Sequence, residues 1–192
     1  MTANQPHAVS IEDYLRTEDE SLWRREYVAG FVYPLHGAAP DQNGTSVAHS
    51  LIGGHIIGAL HPTVTRLGDY LYAYQLKLFI EASRCFLYPD LMLIAKTEPY
   101  GPDDMYVSNP YLLVEIISEH TEFRDRVAKY GLYTAIPSLQ TYLIVEQDER
   151  RVYAYTREAE GWQMEEFIGQ GDVHLPCLGR SLSLHEIYDG VL

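Results

Sequence analysis

Cysteine is scarce in this sequence: only Cys85 and Cys177 occur, and neither sits in a CxxC pair or a Cys/His cluster. That excludes a disulfide framework and a zinc site of the usual ligand spacing. Basic residues are few as well, 14 Lys and Arg against 27 Asp and Glu, for a formal net charge of −13. Binding nucleic acid through bulk positive charge is excluded by that balance, because phosphate contacts need Lys and Arg in number. No window reaches the roughly 18 apolar residues of a membrane span. Residues Met1 to Ser10 lack a basic stretch followed by an apolar one, so a cytoplasmic protein with no membrane partner is expected. Linkers, repeats and low-complexity tracts are missing too, and one domain over residues 1–192, with its core at about 44–146, is the economical reading.

What is present is apolar: 46% hydrophobic residues and 16 Tyr, enough to build a globular core. Ser10-Ile11-Glu12-Asp13 opens a short helix ending about Arg16, and Arg25 to Leu35 reads as a hairpin turning at Ala29-Gly30 and ended by Pro34. Ser46 to Leu60 has helical spacing of apolar residues. Strands are expected over Tyr70 to Glu81, Arg84 to Ala95 and Tyr111 to Ser118, with a turn-rich loop from Thr97 to Pro110. The spacing of Phe123, Val127, Tyr130 and Thr134 predicts a helix over Thr121 to Ala135, stopped by Pro137. Leu139 to Glu146, Arg151 to Thr156 and Trp162 to Ile168 read as strands, and Ser183 to Tyr188 as a closing helix. The fold class is α/β, with a mixed central sheet, an αβββαβ core order, an N-terminal helix and hairpin, and a C-terminal β-hairpin extension.

Two acids break the apolar pattern. Asp90 lies in FLYPDLMLIA and Glu115 in YLLVEIIS. An ionised carboxylate among core-facing residues is expensive unless something compensates it. Two such acids in neighbouring strands make a divalent cation, Mg²⁺ or Mn²⁺, the natural compensator, because such ions take oxygen ligands and keep several waters. Pro89 cannot donate to a ladder, so its strand is expected to be at an edge or distorted there.

These residues carry a resemblance. Tyr88-Pro89-Asp90 and Val114-Glu115-Ile116-Ile117-Ser118, with Arg25-Glu26-Tyr27, His49, the stretch Asp125 to Tyr133 and Ile136-Pro137-Ser138-Leu139, resemble the PD-(D/E)XK nuclease superfamily and within it the Uma-type family of restriction endonucleases. The resemblance implies a metal-dependent endonuclease that cleaves DNA and leaves 5′-phosphate ends. Asp90 and Glu115 would be the metal ligands, and Glu26 a further catalytic acid. The superfamily's lysine two residues after the second acid is replaced by Ile117, and the resemblance places its substitute at Lys129.

Lys129 is expected to point into the Asp90/Glu115 cleft from an exposed helical position one turn after Asp125. His49, Asp125, Gln75 and Lys77 are possible supports. Lys77, Arg84, Arg124, Arg126, Lys129, Arg150 and Arg151 are candidates for a local basic face. A nuclease-derived binding or accessory protein without catalysis is the alternative, favoured by the acidity and by Ile117. The aromatics Tyr153, Tyr155, Trp162 and Phe167 suggest a surface for a second subunit, hence a homodimer.

Overall fold

The computed structural model describes residues 8–35, 45–74, 76–98, 100–101, 103–117 and 128–192. Ser10 starts helix α1 (Ile11–Asp19) by accepting the Asp13 backbone N–H on its hydroxyl at 3.0 Å. Strands β1 (Arg25–Val28) and β2 (Phe31–Pro34) form the expected hairpin. Ala29 and Gly30, at φ 51° and 88°, make a turn whose twist suits the strands. Helix α2 (Val47–Leu67) is capped by the Ser46 hydroxyl and ends at Gly68, φ 76°. It runs past its expected end at Leu60 and through Pro62.

The sequence reading of two long strands is corrected here, because each is cut in two. Tyr70 to Glu81 becomes β3 (Tyr70–Ala73) and β4 (Lys77–Ile80), while Arg84 to Ala95 becomes β5 (Cys85–Leu87) and β6 (Leu91–Ile94). The first break falls at Tyr74, whose φ is 47°, and the second at Tyr88-Pro89-Asp90. The halves enter different sheets. Apolar periodicity continues across both breaks, so it does not reveal them.

A short β7 (Tyr106–Val107) lies within the expected loop, followed by β8 (Pro110–Ile117). The start of the helix expected from Thr121 lies outside the described residues; its end is a wide, π-type turn at 128–129 that leads into α3 (Tyr130–Thr134). Strands β9 (Thr141–Glu146), β10 (Arg151–Glu158) and β11 (Gly161–Ile168) match their expected positions. The chain closes with β12 (Asp172–Leu175) and β13 (Arg180–Ser183), which the sequence reading missed, and α4 (Leu184–Tyr188).

One sheet has six strands in the order β11-β10-β9-β8-β6-β3, mixed because β8 and β9 are parallel. The other has five, β2-β1-β5-β4-β7. Leu112, Val114 and Ile116 on one face of β8 pack with Ile52, Ile56 and Leu60 of α2 and with α4. Leu113 and Ile117 on the opposite face join Leu78, Leu87, Tyr133 and Tyr142 in a second core between the two sheets and α3. Under α1, Tyr14, Tyr27 and Phe86 form a third cluster on the outer face of the smaller sheet. Of the two expectations for Pro89, the distortion holds and the edge does not: the strand is interrupted at 88–90, where the chain crosses between sheets, and β6 lies between β8 and β3.

Tyr153 is 8% exposed, Tyr155 and Trp162 pack on the inter-sheet core, and Phe167 packs on the α2 side. Of the four aromatics expected on an open surface, Tyr153 is buried and Tyr155, Trp162 and Phe167 are half-buried. Among the described residues no helix is long and apolar enough to cross a membrane.

Candidate active site

Antiparallel pairing of β6 with β8 sets Leu91 opposite Val114, which brings Asp90, one residue before β6, level with the Glu115 end of β8. There the Asp90 carboxylate continues the ladder that the backbone has not yet begun: its Oδ2 accepts the Ile116 N–H at 2.7 Å. Its Oδ1 lies 3.1 Å from His49 Nε2, on the first turn of α2. His49, a candidate support in the sequence reading, is thus the partner that orients Asp90.

Glu115 shares the face of β8 that carries Leu113 and Ile117 and so faces the inter-sheet core. Its Oε1 accepts from the Tyr133 hydroxyl at 2.6 Å and from Lys129 Nζ at 2.9 Å. Lys129 Nζ is also 3.5 Å from Glu26 Oε1, because Glu26 on β1 points away from the α1 cluster that Tyr27 joins. Glu26, Glu115 and Lys129 are 2%, 4% and 5% exposed. The expectation of an exposed helical position for Lys129 is corrected: the ammonium is buried between two acids. Burial, and after it the Glu115 charge, raises the Tyr133 phenol well above its ordinary range, so its hydroxyl stays a donor.

Lys77 is buried as well, but its ammonium lies 3.4 Å from Asp19 of α1. It shares the outer face of the smaller sheet with Phe79 and stands apart from the Glu115 cluster. Arg151 pairs with Glu149 and Glu166. With Lys77, Lys129 and Arg151 each spent on separate acids, these three do not make the expected common basic face. Gln75, Asp125, Arg124 and Arg126 lie outside the described residues.

Three contributors escaped the sequence reading. Tyr133 stands one helical turn after Lys129, a spacing that places both on one face and was legible. Glu18 was hidden by an α1 that runs beyond its expected end. Fully buried, it accepts the Tyr88 hydroxyl and the Arg25 N–H on Oε1, both at 2.9 Å, and Arg25 Nε on Oε2 at 2.8 Å, tying α1 and β1 to the segment before Asp90. The third is Tyr74, whose backbone N–H donates to the Asp90 carbonyl at 2.9 Å. Its left-handed backbone turns the ring towards α2, beside His49 at 6.1 Å between centroids, where Gly53 leaves room that any Cβ would fill. Burial, and after it the Asp90 charge, pushes its phenol up to about 12.

The family described as "Uma2: Putative restriction endonuclease" matches residues 11–185, which span every element of this site. The chain belongs to the Uma2 family. Two relatives from Synechocystis sp. (strain ATCC 27184 / PCC 6803 / Kazusa) agree with it in length. "Uncharacterized protein sll1609" is 30% identical over 168 residues, covering 84% of this chain and 89% of that protein. "Uncharacterized protein slr1290" is 27% identical over 197 residues, covering 100% and 99%. The crystal structure of a protein from Anabaena variabilis ATCC 29413, described as a putative nuclease belonging to DUF820, superposes with a TM-score of 0.74 over 97% of this chain and 100% of that one, at 17% identity. The α/β fold with mixed sheets seen here is therefore shared with that protein.

Proposed function

We propose that this Uma2 protein hydrolyses phosphodiester bonds in DNA, with Mg²⁺ or Mn²⁺ held at Asp90 and Glu115. The observation that carries the reading is the buried ammonium of Lys129, 2.9 Å from Glu115 Oε1, delivered from the turn before α3 to the strand whose own motif position is Ile117. A lysine beside a metal-ligating acid is what the departure at Ile117 requires.

Carboxylate oxygens are the donors that a hard divalent cation takes. Asp90 and Glu115 offer carboxylate oxygens from adjacent strands, and each Asp90 oxygen keeps a lone pair beyond its one hydrogen bond. Among the described residues no group of three or more His, Cys, Asp or Glu is placed to hold a metal. Two carboxylates, waters and a substrate phosphate supply enough ligands for Mg²⁺. When bound, the ion supplies Lewis-acid polarisation of the phosphate.

The chain's own groups do the rest. His49 and the Ile116 N–H fix both oxygens of Asp90, so the carboxylate does not reorganise when substrate arrives. Tyr133 and Lys129 fix Glu115. Lys129 holds a proton at Nζ and places positive charge beside the negative charge that develops on the phosphate. Glu26, 3.5 Å from that ammonium, helps to hold it beside Glu115. In thermal denaturation Mg²⁺ raises the wild-type Tm by mass action and leaves Asp90→Ala unmoved; an equal rise in both proteins rejects Asp90 as a ligand.

A further inference from the structure

Beside the Asp90 site a groove of about 600 Å³ opens along the edge strand β3. Four tyrosines line it, Tyr70, Tyr72, Tyr74 and Tyr100, with Arg24, whose guanidinium lies 5.8 Å from the centre of the Tyr88 ring, at one side. Tyr70 and Tyr72 project from the same face of β3, two residues apart, with rings nearly parallel (28°) and centroids 6.0 Å apart. Tyr70 is 43% exposed, so ring surface is open to a ligand. Tyr100 is held by the Ser108 N–H, which donates to its hydroxyl at 2.7 Å. Asp104, the acid in the wall, is occupied in closing a turn, where it accepts the Gly101 N–H at 2.6 Å. The groove adjoins the site through Tyr74, which lines it and whose backbone N–H donates to the Asp90 carbonyl.

An acidic chain that acts on DNA needs a means of holding substrate that does not depend on many cations. Aromatic faces provide one, since every unpaired base presents a π-face and stacks on them regardless of sequence. A paired duplex buries those faces in its own stack. We propose that this tyrosine groove binds a short single-stranded stretch of the substrate by base stacking, with Arg24 on its phosphate, and so directs Asp90 and Glu115 to unpaired DNA at a junction, flap or end. This rests on the nuclease reading for the identity of the substrate, but the groove is tested separately from cleavage.

The probe is a fluorescein-labelled 12-nucleotide oligo(dT), titrated by anisotropy in EDTA against the full chain, with a blunt duplex of equal length beside it. Wild type binds the single strand more tightly than the duplex, and Tyr70→Ala weakens single-strand binding about tenfold. Tyr70→Phe, which keeps the ring, restores it, and neither change moves Tm, as the position is half exposed. Equal affinity for both probes, or single-strand binding unaffected by Tyr70→Ala, overturns the inference. Those outcomes leave the nuclease reading intact, since Mg²⁺-dependent cleavage of duplex DNA is scored in a separate reaction; conversely, a chain that prefers oligo(dT) and never cleaves keeps the groove and loses the nuclease.

Discussion

At the scale of single residues, most of the site's energetics turns on buried charge. Lys129 neutralises Glu115 and shares Glu26, so Lys129→Ala leaves buried acids behind and costs about 3–5 kcal/mol of stability along with activity. A double-mutant cycle separates the pair from the fold. Lys129→Met combined with Glu115→Gln loses less stability in urea than the sum of the single changes, and strict additivity contradicts the contact. Glu18 predicts a similar loss with no chemistry attached: Glu18→Ala strands the Tyr88 hydroxyl and the Arg25 guanidinium, and urea titration finds it among the most damaging single changes. Asp90 and Glu115 were legible in the sequence because each interrupts an apolar run, a local signal. Glu18, Tyr74 and the burial of Lys129 were not, because each depends on which element lies above it, and a hydrophobicity pattern carries no such information.

Elements were legible to the extent that their limits are chemical. The Ser10 and Ser46 caps and the Ala29-Gly30 turn are written in side chains and stand where the sequence puts them. The breaks within the two long apolar runs are tertiary: β3 and β4, and β5 and β6, separate because the two sheets claim opposite halves of each run. Helix α4 shows how little is needed to fix a short element. The Ser183 hydroxyl accepts the Glu186 N–H at 3.1 Å while the Glu186 carboxylate accepts the Ser183 N–H at 2.8 Å, a reciprocal capping box. Ser183→Ala costs about 1 kcal/mol, seen as a lower Tm, because Leu184, Ile187 and Tyr188 hang from that cap in the α2-side core. No change in Tm contradicts that dependence.

Across the whole molecule, tyrosine sets the alkaline limit. Burial raises the phenols of Tyr14, Tyr74, Tyr88, Tyr111, Tyr133 and Tyr188. Each keeps its proton in the folded chain at pH values where the unfolded chain loses it, so their contribution is complete below about pH 10 and drains away as pH rises beyond it. Absorbance near 295 nm then shows phenolate appearing together with unfolding; gradual titration of every tyrosine in the folded chain contradicts this. Beyond one chain, Met164 and Ile168 on edge strand β11 are 52% and 57% exposed, and we propose that a second copy covers them. Light scattering at micromolar concentration is then expected to give twice 21.9 kDa, and a monomer at that concentration refutes the proposal. The acidity of the chain weighs against a nuclease, and the Glu115–Lys129 pair weighs for one. The deciding measurement is conversion of supercoiled plasmid to nicked and linear forms, with wild type and Asp90→Ala compared in Mg²⁺ and in EDTA. The account predicts conversion by wild type in Mg²⁺ alone and none by Asp90→Ala; conversion by both proteins, or by neither, contradicts it.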